Sequence, residues 1–171
     1  SRILCYDIRD LGKQLQPVGM LVVLDSVFNR IIRNRKLGKS TWVYIDEIYL
    51  LFQHEYSANF LFTLWKRVRK YGACCTGLTQ NVDDLLQSHT ARTMLANSEF
   101  LVMLNQAATD RAELANLLNI SDNQLSYITN VDSGRGLIKC GSAIVPFMNS
   151  FPKNRLYQLM TTRPSETMAA A

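Results

Sequence analysis

Apolar positions along this chain follow two alternating patterns, which predict strands separated by helices. Spacings of three and four residues predict a helix over residues 16–35 and a second over residues 58–71, which Gly72 ends. Runs rich in β-branched and aromatic residues predict strands at residues 2–8, 42–46, 73–78 and 99–104.

The second half of the chain carries shorter elements. Helices are predicted over residues 110–118 and 121–128, with Thr109 and Ser121 as their N-caps. Further predicted elements are two short helices within residues 82–96, a hairpin of strands at residues 136–140 and 143–147, and a closing helix at residues 153–160. Strands alternating with helices predict an α/β domain, with a mostly parallel sheet flanked by helices and a C-terminal hairpin.

Composition supports one globular domain. Of the 171 residues, 47% are hydrophobic and 19% are charged, which excludes a disordered chain. We expect residues 1–160 to form the domain and residues 161–171, which carry no core-forming pattern, to be a flexible tail. No apolar segment approaches the roughly 20 residues that span a bilayer, and there is no signal peptide, so the sequence predicts a soluble chain.

Charge and cysteine content narrow the function only slightly. The formal net charge of +5 indicates mild attraction to nucleic acid or to an anionic membrane face. The basic residues are spread out and are densest over residues 30–39 and 66–70, so charge alone identifies no partner. The cysteines lack metal-ligand spacing, and we expect buried free thiols at Cys5, Cys74, Cys75 and Cys140.

The strongest chemical signal is residues 43–52, VYIDEIYLLF, in which a β-rich run leads directly to Asp46 and Glu47. Ionised carboxylates at the end of a buried strand are costly unless a cation or hydrogen bonds compensate them. The pattern is that of the Walker B motif of P-loop NTPases, whose Asp holds the Mg²⁺ of a bound nucleotide, directly or through water. The alternative is an N-cap or a salt-bridged pair at the end of a strand.

A second polar group follows the next predicted strand. It is the tripeptide Thr79, Gln80 and Asn81. Because ligands in α/β folds bind at the carboxyl ends of the strands, we expect this group to lie at the same edge as the two carboxylates.

Four segments in order, VYIDEIYLLF, GLTQN, LANSEFLVMLNQ and GRGLI, resemble the C-terminal half of the RecA-like motor ATPases of conjugative type IV secretion systems. These ATPases belong to the FtsK/HerA superfamily of P-loop NTPases. The resemblance extends from about Ile3 to Leu159. It implies a RecA-like core and a part in an ATP-hydrolysing motor that powers substrate or DNA transfer.

The resemblance also implies roles for individual residues. Asp46 would be the Mg²⁺-associated carboxylate, and Glu47 the catalytic base or water-orienting group. Gln80 would hydrogen-bond the γ-phosphate, positioned by the backbone of Thr79 and Asn81.

Two arginines match segments where such families carry arginines that reach a nucleotide, often one in the neighbouring subunit. They are Arg135, in GRGLI, and Arg92, in TARTML. For each of them the alternative is a surface or ion-pairing role.

The resemblance implies ATP and Mg²⁺ as cofactors of the parent protein. The implied partners are other subunits of a homo-hexamer and secretion-channel components at the inner membrane, with DNA as a further candidate. The implied location is the bacterial cytoplasm, peripheral to the inner membrane. The alternative function is a non-catalytic α/β scaffolding module that retains a motor fold.

A P-loop is missing from the sequence. Residues Gly38, Lys39, Ser40 and Thr41 imitate the end of G-x-x-x-x-G-K-S/T, but Arg33 occupies the position of the first glycine. The segment also precedes a predicted strand and leaves no room for the helix that a P-loop requires. The resemblance therefore implies a P-loop upstream of Ser1, and a chain that is a fragment lacking the N-terminal part of the core.

We predict that the isolated chain binds ATP feebly and does not hydrolyse it, because most of the phosphate grip belongs to the P-loop. Calorimetric titration of the chain and of a version extended upstream checks the binding, and a turnover assay checks the hydrolysis. Equal affinity in both proteins, or Mg²⁺-dependent hydrolysis by the chain that Glu47→Gln abolishes, would contradict the prediction.

Overall fold

The structure is a computed structural model, which describes residues 1–8, 10–12, 14–80 and 82–161. The chain divides into two compact units, Ser1–Ser98 and Glu99–Ala171. The predicted flexible tail falls outside the described residues, except for Thr161.

The first unit is a parallel pair of strands packed against helices. Strand β1 lies beside β2 in parallel, with Thr41 opposite Ala73 and Ile45 opposite Gly77. Its elements are α1 (Gln16–Lys36), β1 (Thr41–Ile45), the 3-10 helix Ile48–Phe52, α2 (Glu55–Arg67), the 3-10 helix Val68–Tyr71, β2 (Ala73–Gly77), α3 (Val82–Gln87) and α4 (His89–Ala96).

Both long helices bury the apolar stripes that the sequence predicts. Helix α1 starts with a proline in its first turn, where the missing N–H is not needed. Gly72 ends the second helical segment with φ of +65°, as predicted. The buried core comprises Met20, Leu24, Ile31, Ile48, Leu51, Leu61, Leu64, Val68, Ala73, Leu85, Ala91 and Met94.

The segment of residues 38–41, which resembles the end of a P-loop motif, follows the end of α1. Gly38 has φ of +66°, and its N–H donates to the Arg35 carbonyl at 3.0 Å. The Lys39 N–H donates to the Asn34 carbonyl at 2.9 Å. These two bonds form a Schellman motif, which ends a helix. Because β1 begins at Thr41, the segment is a helix-to-strand turn, which confirms the prediction from context.

The second unit contains an antiparallel sheet in the order β3-β4-β5. The hairpin is confirmed, but the sequence did not predict the antiparallel pairing of β3 with it. Ser121 caps a helix in a capping box with Gln124, as predicted for its N-cap. The elements are β3 (Phe100–Met103), α5 (Ala108–Leu118), α6 (Asp122–Leu125), the 3-10 helix Ser126–Ile128, β4 (Arg135–Cys140), β5 (Ala143–Met148) and α7 (Arg155–Met160).

Two predicted elements differ from the structure. Residues 2–8 form no strand, and no strand of the described residues pairs with them. A β-forming residue needs a neighbouring strand to pair with, and residues 2–8 have none. The side chain of Ile3 is 81% exposed. Helix α5 begins at Ala108 with Ala107 as its N-cap, so the prediction of Thr109 was wrong.

The cysteines are free, as predicted, but the prediction that they are buried was wrong for Cys5, Cys74 and Cys140, which are exposed. On β2 the side chains alternate between the two faces, so Cys74 and Cys75 differ in burial. Burial, with a smaller contribution from the neighbouring Cys74 thiol, raises the pKa of Cys75 to about 12. The Cys75 thiol is therefore neutral and unreactive at physiological pH.

Replacing Gly38 by alanine should lower the free energy of unfolding by about 1 kcal/mol, because a side chain disfavours positive φ. The cost is purely conformational, since an added Cβ meets nothing within 4 Å. Urea unfolding of the Gly38→Ala variant measures the effect.

Gly12→Ala is the matched control, because its added Cβ also meets nothing within 4 Å and its φ lies outside the positive range. We expect the control to change the free energy of unfolding by less than about 0.5 kcal/mol. Equal losses in the two variants would argue against the Schellman turn.

Candidate functional site

The carboxyl ends of β1 and β2 lie side by side, and hydrogen bonds continue beyond the strands. The Leu78 N–H donates to the Ile45 carbonyl at 2.8 Å. The Ile48 N–H then donates to the Leu78 carbonyl at 2.9 Å. The two residues between Ile45 and Ile48 therefore form a turn whose two ends are fixed to the chain that follows β2.

Glu47 occupies this turn in a left-handed conformation, with φ of +48° and ψ of +49°. Such a conformation is uncommon for a residue other than glycine and persists only when the surroundings enforce it. The Glu47 N–H donates to Oδ1 of Asp46 at 3.1 Å. The backbone of the turn therefore orients the Asp46 carboxylate.

One carboxylate oxygen of Glu47 has no partner. Among the described residues, Oε2 of Glu47 is the one side-chain oxygen or nitrogen that is buried without a hydrogen bond. Leaving such an atom unpaired costs about 1–3 kcal/mol, and more when the group is charged. The described residues therefore leave this oxygen available as a hydrogen-bond acceptor for a group outside them.

Gly77, the last residue of β2, allows the turn to pack closely. A Cβ at this position would lie 2.5 Å from Cδ1 and 3.3 Å from Cγ2 of Ile48. Ile48 is buried and directly follows Glu47. Any side chain at position 77 would therefore press on the residue that anchors the turn. This contact was not predicted from the sequence, in which the glycine of GLTQN was its available signal.

Gln80 lies three positions after the end of β2, in an exposed part of the chain. Because β1 and β2 are parallel, the loop that carries Gln80 leaves the sheet at the same edge as Asp46 and Glu47, as expected. Thr79 is partly buried, whereas Asn81 lies outside the described residues. The γ-phosphate role of Gln80 stays a prediction.

The two predicted arginines have structural partners. Nε of Arg92 donates to the carbonyl of Leu86 and ties α4 to the end of α3. Arg135 begins β4 in the second unit, and its side chain is 51% exposed. It forms an ion pair with Asp132 at 3.7 Å, which is the alternative role considered for it. Their nucleotide roles also stay predictions.

The turn is further supported by a buried serine that the sequence analysis missed. The Ser57 hydroxyl lies 2.6 Å from the Leu51 carbonyl and 2.9 Å from the His54 carbonyl. It joins the end of the 3-10 helix that follows Glu47 to the first turn of α2. No distinctive sequence pattern identifies this serine.

The donor set fits Mg²⁺ better than a metal held wholly by protein. No group of at least three His, Cys, Asp or Glu side chains within the described ranges could hold a metal ion. Mg²⁺ usually keeps several waters and binds through one or two carboxylates together with substrate phosphates. Asp46, exposed at the end of β1, meets that requirement.

P-loop NTPases hold Mg²⁺ with a Walker B carboxylate, and α/β folds bind their ligands at the carboxyl ends of the strands, where Asp46 and Glu47 lie. The family model for the TraG P-loop domain matches residues 3–138. The chain therefore belongs to the TraG P-loop domain family.

The structure of VirB4 of Thermoanaerobacter pseudethanolicus is similar to this chain, with a TM-score of 0.75 and 25% sequence identity. The match covers 85% of this chain and 40% of that chain. No curated protein matches the sequence. The predicted α/β fold and the predicted family resemblance are thereby confirmed.

Gly77→Ala should lower the free energy of unfolding by about 1–3 kcal/mol, because the new methyl group overpacks against Ile48. Ile48→Val removes the Cδ1 atom with which the methyl group collides. We therefore expect the double variant to be more stable than the sum of the single changes allows, by at least about 0.5 kcal/mol. Urea unfolding of the four proteins in this cycle measures the coupling. Strict additivity would contradict the assigned contact.

Proposed function

We propose that this chain carries the Walker B and sensor part of an ATP-hydrolysing motor, which powers substrate or DNA transfer in a conjugative type IV secretion system. Membership of the TraG P-loop domain family supports the motor class. The observation that carries the proposal is the buried and unpaired Oε2 of Glu47.

Glu47 is assigned the activation of the attacking water. A carboxylate oxygen without a protein partner can accept a hydrogen bond from that water and hold it in line with the γ-phosphate. The left-handed turn fixes the backbone from which the carboxylate projects, because the backbone N–H of Ile48 donates to the Leu78 carbonyl. Preorganisation of this kind lowers the barrier without movement at the moment of reaction.

Asp46 is assigned the role of holding Mg²⁺ through a water molecule. Its Oδ1 already accepts the Glu47 N–H, which leaves Oδ2 for a metal-bound water. When bound, Mg²⁺ would neutralise charge on the phosphate oxygens. Gln80 is assigned the γ-phosphate contact, since its side-chain amide can donate hydrogen bonds to phosphate oxygens.

The phosphate-binding loop would come from outside these 171 residues, because none of them forms G-x-x-x-x-G-K-S/T. Arg135 and Arg92 are retained as candidates for an arginine that acts across a subunit boundary. The ion pair of Arg135 is exposed, and such pairs exchange readily at little cost.

The proposed assembly is a homo-hexamer that works with secretion-channel components, at the periphery of the bacterial inner membrane. No helix of the described residues is long and apolar enough to cross a membrane.

In a longer protein that includes the P-loop, Glu47→Gln should lower kcat for ATP hydrolysis by at least about 100-fold. The amide is isosteric with the carboxylate but cannot accept a proton from water. Binding of ATP should stay within about threefold, because phosphate binding depends on other groups. Phosphate release and calorimetric titration measure the two quantities.

Glu55→Gln is the matched control, since this acid is exposed in the first turn of α2. It should leave kcat unchanged. Full hydrolysis by the Glu47→Gln protein would remove the catalytic assignment and would favour the non-catalytic scaffolding module.

A further inference from the structure

Two basic segments that are separate in sequence lie together in the first unit. Residues 33–39 end α1 and lead into β1, and residues 66–70 end α2 and lead towards β2. Because Thr41 pairs with Ala73, both segments reach the amino-terminal edge of the strand pair. This edge is opposite the one that carries Asp46 and Glu47.

Side-chain and backbone contacts join the two segments. The Arg35 guanidinium lies 5.2 Å from the centre of the Tyr71 ring. The centres of the Phe28 and Tyr71 rings are 5.6 Å apart. The Thr41 N–H donates to the Gly72 carbonyl at 3.4 Å. We call these two adjoining segments the basic edge; their exposed cations are Arg33, Arg35, Lys36, Lys39, Lys66, Arg67, Arg69 and Lys70.

No acidic residue offsets this charge nearby in the sequence. Neither the stretch between Asp25 and Asp46 nor that between Glu55 and Asp83 contains an Asp or Glu. Within the described part of the chain, no ion pair involves the cations of the basic edge. Cations in the last turn of a helix favour its dipole, but Lys39 lies beyond the end of α1. The basic edge therefore presents uncompensated positive charge, which attracts a polyanionic partner.

Exposed apolar side chains accompany these cations. Leu37 lies between Lys36 and Lys39 and is 58% exposed. Trp42, one residue inside the edge, is 65% exposed. Cations beside leucine and tryptophan suit the headgroup region of an anionic bilayer, where apolar groups enter the interface and cations meet the phosphates. Binding to the phosphates of duplex DNA would need the cations alone.

We propose that the basic edge docks this domain on the surface of a bilayer that contains anionic phospholipids, with Leu37 at the headgroup level. The inference rests on the membrane-peripheral location given under the proposed function. Docking at this edge leaves the carboxylate edge of the strand pair facing away from the membrane.

The test is flotation of the chain with vesicles of phosphatidylglycerol and phosphatidylcholine, compared with vesicles of phosphatidylcholine alone. We expect binding only to the anionic vesicles, and weaker binding as salt is added. The basic-edge variant Arg33→Gln, Lys36→Gln, Arg69→Gln and Lys70→Gln should lose at least about tenfold in partitioning, since each cation near an anionic surface contributes about fivefold.

The matched control neutralises cations outside the basic edge, with the same change in net charge, through Arg2→Gln, Arg111→Gln, Lys139→Gln and Arg155→Gln. It should keep most of the binding. Leu37→Ser should weaken vesicle binding at constant charge. Thermal unfolding checks that each variant is folded.

Several outcomes would overturn the proposal. These are equal binding to neutral vesicles, equal losses in the two neutralised variants, and an unchanged affinity of Leu37→Ser. Binding to a short DNA duplex without binding to anionic vesicles would assign the basic edge to nucleic acid instead. None of these outcomes affects the hydrolysis assay of Glu47→Gln, so a failure of the docking surface and a failure of the ATPase assignment are separable.

Discussion

The parallel pairing of β1 with β2 is the constraint on which the first unit depends. The register sets Ile45 opposite Gly77, and the same ladder continues through the Leu78 and Ile48 amides. Both strands therefore end at the edge that carries Asp46 and Glu47. The helices that precede them end at the opposite edge, which carries the cations of the basic edge. A shift of one residue would turn every side chain of β1 to the opposite face of the sheet.

Local sequence determines much of this arrangement. The apolar stripes of α1 and α2, the glycine stop at Gly72 and the capping serine at Ser121 are governed by contacts within a few turns. The Asp46–Glu47 pair was recognisable because carboxylates directly after an apolar, β-rich run violate the usual pattern, although β1 itself has no fully buried residue. Family membership is confirmed for the domain, whereas the roles of individual site residues stay predictions.

Other features depend on contacts between distant residues, which periodicity cannot reveal. The antiparallel pairing of β3 with the hairpin is one such feature. The failure of residues 2–8 to form a strand is another, because β-forming residues need a partner strand to pair with. The left-handed conformation of Glu47 has no signal in its residue type, since it accompanies a long-range hydrogen bond from the Ile48 N–H to the Leu78 carbonyl.

The length of β1 has an electrostatic consequence. Five residues of strand separate the two edges by about 16 Å. That separation is about twice the Debye length of roughly 8 Å at physiological ionic strength, so exposed charges at the two edges are largely screened from each other. The cations at the start of β1 therefore could not balance a triphosphate bound, as proposed, at its end. The counter-charge of such a nucleotide would have to come from a metal ion, from residues near Asp46, or from another polypeptide segment.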